Sequence, residues 1–416
     1  MSEHHQIYIK ANSLLLYQSV FNHQVGKAFL NLLHQLSLTE TGLNYKINCL
    51  QAYGIWFKTL ANFNQSWQDY LIEQILLDDN PFSQQVQRKA LSDLPSSLLT
   101  ATRHDLKILQ EISNWNPQNT FNSLPSWQIA HTFLNFFHQS QNWTEELETL
   151  AKHYRQYGTG IFAQYKALQW KEALLGIKNF DPIQIDEIVG YELPKETLIK
   201  NTECLLAGLP ALHVLLYGSR GNGKSSLVKA LLNQYSEQGL RLIEVPKEFF
   251  QDLPLILEKV REQPQKFIIF VDDLSFEEDD ETFKALKVVL EGSAIAKAKN
   301  VVVYATSNRR HLIKEYFSDR PRPSEADEVH SWDTQQEKLS FSDRFGLTLT
   351  FESANQETYL KIVHHLAKIA NLGLPTDELD FKAKQWATRH NGRSGRTARQ
   401  FIDYLQGELN FTNKQT

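Results

Sequence analysis

The first 175 residues carry apolar side chains at the three- and four-residue spacing of amphipathic helices. The stretches VGKAFLNLLHQL (25–36) and WQDYLIEQILL (67–77) show this pattern clearly. Turn signals at DDNP, DLPSS and NSLPS separate the helical stretches. The aromatic residues repeat at the same spacing, which is more typical of a helical core than of a binding surface. We therefore predict an all-α N-terminal domain over residues 1–175.

From residue 186 onward, short and almost wholly apolar runs alternate with helical stretches. Uninterrupted apolar runs of this length are typical of strands buried on both faces of a parallel sheet. The alternation predicts an α/β architecture with right-handed crossovers, in which 176–352 form a five-stranded parallel sheet and 353–416 a helical subdomain. The five predicted strands are HVLLY (213–217), RLIEV (241–245), KFIIFV (266–271), NVVVYA (300–305) and LTLTF (347–351).

The segment FSDRPRPSEADEVHSWDTQQEK (317–338) interrupts this order, because it is polar and mixes both charges. A solvated surface insertion is the simpler interpretation. The alternative is a loop that binds a partner, since long loops in compact domains are often functional.

Composition limits the class of protein to which this chain can belong. A chain of 416 residues with 42% hydrophobic and 22% charged residues is typical of a soluble protein of two or three domains. The N-terminus has no secretory pattern, no apolar run approaches the roughly 18 residues of a membrane span, and two cysteines are too few for a disulfide framework. We therefore expect a cytoplasmic protein without a membrane association. The net charge of −5 excludes a surface that is basic throughout, but it does not exclude a local basic groove that binds nucleic acid.

A glycine-rich stretch, GSRGNGKS, lies between the first predicted strand and a predicted helix and fits G-x-x-x-x-G-K-[ST]. In such a loop the backbone N–H groups cradle phosphates, the lysine reaches the β- and γ-phosphates, and the following hydroxyl binds Mg²⁺. A turn that binds no nucleotide is the alternative, and the flanking strand and helix argue against it. The candidate nucleotide-binding residues are Gly218, Ser219, Arg220, Gly221, Asn222, Gly223, Lys224, Ser225 and Ser226.

Two adjacent carboxylates, Asp272 and Asp273, end the apolar run FIIFV. Asp272 is a candidate Mg²⁺ ligand together with Ser225, and Asp273 is placed to polarise an attacking water. Elsewhere such a pair would indicate a helix cap or a turn. Beside a phosphate loop, the metal interpretation is favoured.

Three further polar residues are candidates for catalysis. Asn308 follows the strand VVVYA, with Thr306 nearby, and is positioned to hydrogen-bond a γ-phosphate or a water. Arg344 precedes the last strand, and Arg396 opens a C-terminal helix. Arginine stabilises the charge of a transferring phosphoryl group and can come from a neighbouring subunit. The alternatives are an ordinary turn residue for Asn308 and surface ion pairs for the arginines.

Five ordered motifs over 176–416 resemble those of the AAA+ ATPases. GSRGNGKS resembles Walker A, FIIFVDD Walker B, ATSNRR sensor 1, DRFG the box that carries the arginine finger, and SGRTARQF the sensor 2 helix. DEIVGYELPKETL resembles the opening of such modules, where a loop packs on the adenine. Within the superfamily, the motifs look closest to a bacterial family of predicted ATPases described as a domain of unknown function.

The resemblance implies a P-loop NTPase fold of the AAA+ type with a C-terminal helical lid, and ATP and Mg²⁺ as cofactors. It also implies a homo-oligomer in which Arg344 acts on the nucleotide of the next subunit, while Arg396 is the sensor 2 arginine. A shift of register would transfer that role to Arg393 or Arg399. Many AAA+ enzymes have Glu at the position of Asp273, and Glu277 or Glu278 are possible substitutes.

Two functions follow from this resemblance. The first is an ATPase that remodels or loads a macromolecular partner, because PKEFFQDLPLILEKV lacks an aromatic–Gly pore loop of the kind that threads substrates. The second is a nucleotide-dependent switch that hydrolyses little ATP and presents its N-terminal domain to a protein partner. Arg309, Arg310 and Lys314 offer weak support for a nucleic-acid partner, against a solvated helix start. A small-molecule kinase fits the lid arginines poorly.

Overall fold

The fold is taken from a computed structural model. It describes residues 3–39, 42–116, 124–125, 127, 129–130, 134–275, 282–291, 298–308, 340–390 and 392–413. Three features singled out in the sequence lie outside the described residues. They are the insertion 317–338, the basic residues Arg309, Arg310 and Lys314, and the acidic residues Glu277 and Glu278.

The chain divides into two compact units, Met1–Gln164 and Tyr165–Thr416. The described part of the first unit is helical, as its apolar spacing predicts. Its helices are α1 (Glu3–Asn12), α2 (Gln24–Ser37), α3 (Leu43–Phe63), α4 (Trp67–Leu77), α5 (Pro81–Val86), α6 (Ser96–Ser113), α7 (Phe136–Gln139), α8 (Leu147–Tyr157) and α9 (Gly160–Gln164).

Aromatic residues fill the core of the first unit. Phe29 lies 4.2 Å from Trp67 and 5.5 Å from Trp115, measured between ring centroids, and Trp56 packs edge-on against both tryptophans. Trp143 is fully buried and donates its indole N–H to the carbonyl of Phe137. The aromatic residues at helical spacing therefore build a packed core, where each contributes roughly 2–3 kcal/mol of hydrophobic stabilisation.

The second unit is built on a seven-stranded sheet in the order β2-β1-β4-β5-β6-β3-β7, parallel except for the β1–β2 pair. The three strands β4, β5 and β6 are buried along almost their whole length, as their uninterrupted apolar sequences require. The strands are β1 (Ala167–Lys171), β2 (Ala173–Gly176), β3 (Val214–Gly218), β4 (Leu240–Glu244), β5 (Lys266–Val271), β6 (Val301–Ser307) and β7 (Leu347–Phe351).

Five of these strands, β3 to β7, are the predicted ones, whereas the prediction of only five strands is wrong. The sheet gains β1 and β2 from a region predicted to be helical. Their sequences, ALQWK and ALLG, contain no β-branched residue and favour a helix by intrinsic propensity. Pairing with β4 overrides that preference, and the buried indole of Trp170 donates to Asp252 at 2.8 Å.

Helices cover the sheet and end the chain. Within PKEFFQDLPLILEKV, Lys247–Asp252 form a 3-10 turn that leads into a helix. None of the helices in the described ranges is long and apolar enough to cross a membrane. The helices of the second unit are α10 (Glu192–Leu206), α11 (Lys224–Tyr235), α12 (Leu253–Val260), α13 (Thr282–Glu291), α14 (Gln356–Ile369), α15 (Thr376–Arg389) and α16 (Gly395–Asn413).

One core joins the sheet to the C-terminal helices. Tyr359 and Phe401, from α14 and α16, belong to the same buried cluster as Val214 and Ile268 of the sheet. A parallel sheet with a phosphate-loop sequence directly after β3 and helices at the C-terminus confirms the predicted P-loop NTPase fold.

Candidate functional site

Strand register brings the predicted site residues to one edge of the sheet. Val271 of β5 pairs with Ala305 of β6, and Tyr217 of β3 pairs with Ser307 of β6. The residues that follow these strands therefore meet at the carboxyl end of the sheet. The chain also changes direction here, because β3 leads to β4 on one side while β6 leads across β3 to β7. Ligands bind α/β sheets at such a point.

The loop after β3 depends on two glycines. Gly218 has φ of +141°, and a Cβ there would lie 1.9 Å from the carbonyl oxygen of Phe351 on β7. Gly221 has φ of +79°, and a Cβ there would lie 3.0 Å from both Arg396 Cβ and Ser394 Oγ. A side chain at either position would push the loop away from its neighbours. The sequence therefore folds here into a tight backbone cradle that other residues cannot form.

Lys224 begins α11 and turns its side chain back over the loop. Its Nζ donates to the carbonyl oxygens of Gly218 at 2.7 Å and Ser219 at 2.9 Å, and to Asn308 Oδ1 at 3.3 Å. The residue is buried, with 6% of its surface exposed. The ammonium is thus held against the sheet edge, at the N-terminus of a twelve-residue helix.

Burial and the neighbouring carboxylates act on the pKa of Lys224 in opposite directions. Burial lowers the pKa of Lys224, and the nearby carboxylates of Asp272 and Asp273 oppose that shift. Arg220 and Arg396 add to the lowering. Three cationic side chains that disfavour one another create a place where an anion would be stabilised.

Asp272 links the loop to the neighbouring strands. Its Oδ1 accepts hydrogen bonds from Ser225 Oγ at 2.6 Å and from Thr306 Oγ1 at 2.5 Å. The described residues contain no group of three or more His, Cys, Asp or Glu side chains that could hold a metal. A single carboxylate beside a hydroxyl nevertheless fits Mg²⁺, which takes one or two protein ligands and completes its shell with water and phosphate oxygens.

Asp273 has a left-handed backbone, with φ of +52°. Its N–H donates to Thr306 Oγ1 at 2.9 Å, and its Oδ1 accepts from Asn308 Nδ2 at 2.5 Å. The guanidinium of Arg220 lies 3.8 Å from its other carboxylate oxygen. The carboxylate is 62% exposed and points into the cleft, where two side chains fix its direction.

The C-terminal helices contribute arginines to the same cleft. The N–H of Arg396 donates to the carbonyl of Gly221 at 2.9 Å, which ties the start of α16 to the loop. Arg399 also lines the cavity and forms an ion pair with Glu187. Arg393 does not line it and donates instead to Gln356 Oε1. Of the three candidate arginines, Arg396 lies next to the loop.

These elements enclose a cavity of about 880 Å³. Its polar side is formed by the loop residues from Arg220 to Ser226, together with Asp272, Asp273, Thr306, Asn308 and Arg396. Its apolar side is formed by residues of the loop before α10 and of the helix α14. They are Pro182, Ile183, Ile188, Val189, Ile362 and Leu366.

Three predicted site residues do not line this cavity. Gly218 and Ser219 form the start of the loop, where their carbonyls hold Lys224. Arg344 ends a 3-10 turn, Ser340–Arg344, just before β7, and is half-buried away from the cleft. The structure therefore separates Arg344 from the residues that gather around Lys224.

The sequence anticipates one part of the apolar wall, since Ile188 and Val189 lie in DEIVGYELPKETL, the stretch that resembles an adenine-packing loop. It does not anticipate the part that comes from α14, although a signal for that part exists. Ile362 and Leu366 are four residues apart on an amphipathic helix, which marks them as one face without saying what the face covers. The pair Glu187–Arg399 joins residues 212 positions apart, so no local pattern could reveal it.

A family model described as "Protein of unknown function (DUF815)" matches residues 163–409, more than half of the chain. The comparison with curated proteins finds no match for the chain.

Several solved structures resemble part of the chain. A RuvB variant from Thermotoga maritima is 16% identical over 56% of this chain and 68% of its own, with a TM-score of 0.40. The RuvB of that organism described as a Holliday junction branch migration motor is 15% identical, over 54% and 72% of the two chains, with a TM-score of 0.34. A DNA replication initiation factor is 17% identical, over 55% and 65%, with a TM-score of 0.36.

Proposed function

The chain belongs to the family described as Protein of unknown function (DUF815), a description that names no activity, and we propose that it is a Mg²⁺-dependent AAA+ type ATPase. In this proposal, ATP binding and hydrolysis drive the remodelling or loading of a macromolecular partner. One observation carries the proposal. Lys224, Asp272, Asp273 and Asn308 come from three different strand ends and converge on one cavity that also receives Arg396.

The cavity fits a nucleoside triphosphate in size and chemistry. Ligand sites commonly occupy about 300–1,000 Å³, and this one offers about 880 Å³. The loop glycines, Lys224 and the N-terminus of α11 would hold the phosphates. The apolar wall that includes Ile188 and Leu366 would cover the base. ATP is the proposed nucleotide.

Ser225 and Asp272 would hold Mg²⁺, since their oxygens are already within 2.6 Å of each other. When bound, the ion would neutralise charge on the β- and γ-phosphates. Thr306 would keep Asp272 oriented toward it, because its hydroxyl donates to the same carboxylate oxygen.

For hydrolysis, Asp273 is the proposed base that accepts a proton from the attacking water, and Asn308 orients that carboxylate. Arg396 would stabilise charge on the γ-phosphate. Arg344 lies outside the cavity of its own chain, which supports a role at the nucleotide of a neighbouring subunit in a homo-oligomer.

A second candidate function is a nucleotide-dependent switch with little hydrolysis. The side chain of Asp273 is already engaged by Asn308 at 2.5 Å and approached by Arg220 at 3.8 Å. A carboxylate held in this way is not free to approach a water until those contacts rearrange. In this alternative, ATP holds the chain in one state, and the helical first unit is presented to a protein partner.

The test of nucleotide binding is Lys224→Ala, with Lys229→Ala as the matched control on the same helix. Lys229 is half-buried and does not line the cavity. We expect Lys224→Ala to weaken ATP binding by about ten- to a hundredfold, the usual worth of a charge-assisted hydrogen bond, and Lys229→Ala to leave it within about twofold. Calorimetry with and without Mg²⁺ measures both. Equal affinities in the two variants would remove the nucleotide assignment.

A further inference from the structure

The helix α3 of the first unit has an apolar face on the side away from its core. Its buried side is formed by Cys49, Ala52, Tyr53, Trp56 and Leu60. On the opposite side Leu43, Ile47 and Leu50 are 73%, 40% and 46% exposed. The exposed glycine Gly54 continues the same side.

These exposed positions follow a heptad pattern. Residues 43, 47, 50 and 54 are separated by four, three and four positions, and Phe57 and Ala61 extend the pattern by three and four. This spacing places them on one face of α3, where a second helix with the same spacing could pack against them. We call Leu43, Ile47, Leu50, Gly54 and Ala61 the α3 seam. Phe57 is half-buried and packs on the core, so it only borders the seam.

Gly54 packs against no other described residue. It lies inside a 21-residue helix, where glycine is less favourable than alanine, and outside the neighbouring backbone of that helix no described atom lies within 4 Å of a Cβ built there. Its φ is not positive, so the backbone does not require glycine either. A glycine in a heptad seam allows a second helix to approach closely, as small residues do between packed helices. A helical partner would explain its presence.

The charges beside the seam indicate the partner's chemistry. Lys46 and Lys58 are exposed and occupy the positions that flank a heptad seam. The helix Leu43–Phe63 contains no Asp or Glu, so the α3 of a second copy would offer no opposite charge. A lipid surface would favour a wide apolar face and would gain nothing from Gly54. Acidic residues on a partner helix would pair with both lysines.

We propose that the α3 seam is a docking site for an amphipathic α-helix of a partner protein, with Leu or Ile at heptad spacing and Asp or Glu beside them. The site lies in the first unit, and the nucleotide site of the second unit has no part in it. It gives the helical unit a role in recruiting a protein.

The test uses the full chain and two synthetic 21-residue helical peptides, both with Leu and Ile at the heptad positions. One carries Glu at the flanking positions and Lys on its outer side, and the other has these charges exchanged. Fluorescence anisotropy measures their binding. We expect the Glu-flanked peptide to bind at least about tenfold more tightly than the other, since several apolar contacts and two ion pairs are involved.

Two variants of α3 locate the binding. Leu50→Glu changes the seam and should weaken binding of the Glu-flanked peptide at least about tenfold. Ile55→Glu is the matched control, because Ile55 is 54% exposed on the same helix but lies off the seam, and it should stay within about twofold. Circular dichroism establishes that both variants fold, and Lys46→Glu with Lys58→Glu should reverse the preference between peptides.

Four results would overturn the proposal. Equal binding of both peptides, or equal loss in Leu50→Glu and Ile55→Glu, would remove the helix-docking site. A change of oligomeric state in Leu50→Glu alone, seen by sedimentation, would assign the seam to a second copy. Binding to phosphatidylserine vesicles that Leu50→Glu abolishes would assign it to a membrane. ATP affinity, measured in the same samples, should be unchanged, so the outcome is independent of the proposed ATPase function.

Discussion

Asp273 shows how a single residue connects the fold to the proposed chemistry. Its left-handed φ of +52° lets its N–H reach Thr306 while its carboxylate reaches Asn308. Left-handed backbone is tolerated better by Asp and Asn than by most residues, because their short polar side chains bond locally. A glutamate there would have to adopt a less favourable backbone. Aspartate therefore suits the left-handed backbone at this position as well as the proposed role of a base.

Replacing Asp273 by Asn separates hydrolysis from binding. Asn tolerates the same backbone but cannot accept a proton from water, so we expect turnover to fall at least about a hundredfold, as for loss of a general base. ATP affinity should stay within about threefold, since Asp273 holds neither phosphate nor metal in this account. Calorimetry and phosphate release measure the two quantities.

Asp272→Asn is the control for that variant, because it should weaken Mg²⁺-dependent ATP binding as well as turnover. Unchanged turnover in Asp273→Asn would show that another group activates water. No turnover in either the natural chain or the variant, with ATP bound, would favour the switch.

The local sequence predicts those helices and strands whose formation depends on local interactions. The strands β3 to β7 are apolar throughout and the first-unit helices are amphipathic, so both could be predicted. The strands β1 and β2 could not, because Leu168, Trp170 and Leu174 favour a helix until β4 offers an edge to pair with. In the site, Lys224 and Asp272 could be predicted because each lies in a recognisable sequence motif. The wall residue Ile362 is placed only by tertiary packing, in the core that the sheet shares with the C-terminal helices.

Gly54 and Gly218 differ in the same way. Helix propensity determines the effect of a side chain at Gly54, whereas a tertiary contact determines it at Gly218. We expect Gly54→Ala to raise the free energy of unfolding of the first unit by about 1 kcal/mol, since Ala is the better helix former and the space around it is open. Gly218→Ala should destabilise the second unit, because its Cβ would meet the Phe351 carbonyl. Chemical denaturation, followed by the tryptophans of the first unit and by ATP-induced stabilisation of the second, measures both. A loss of stability in Gly54→Ala would mean that α3 already packs closely at that point.

In the whole molecule, the second unit begins earlier than the boundary predicted from the helical pattern. Residues 165–175 lie with the sheet, although they precede the predicted boundary at 175. The aromatic-rich composition of this stretch resembles that of the first unit, and Trp170 is one cause. Its indole is nevertheless buried in the second unit. Composition averages over a window and cannot place a boundary inside it.

Two truncations test this boundary. A chain of residues 165–416 should fold and bind ATP as the full chain does. A chain of residues 177–416 loses β1 and β2, leaves the edge of β4 unpaired and removes buried Trp170, so we expect aggregation or a clearly lower melting temperature. Thermal unfolding and ATP affinity measure the difference. Equal stability of both products would place the boundary after β2.

We propose that ATP is hydrolysed at a site completed by Arg344 of a neighbouring subunit. ATP turnover per protomer, measured over a wide range of protein concentration with Mg²⁺ present, tests this proposal. We expect that turnover rises with concentration, that Arg344→Ala binds ATP without turning it over, and that mixing it with Asp273→Asn restores part of the activity. Turnover per protomer that is constant at every concentration, with no recovery at any mixing ratio, would contradict it.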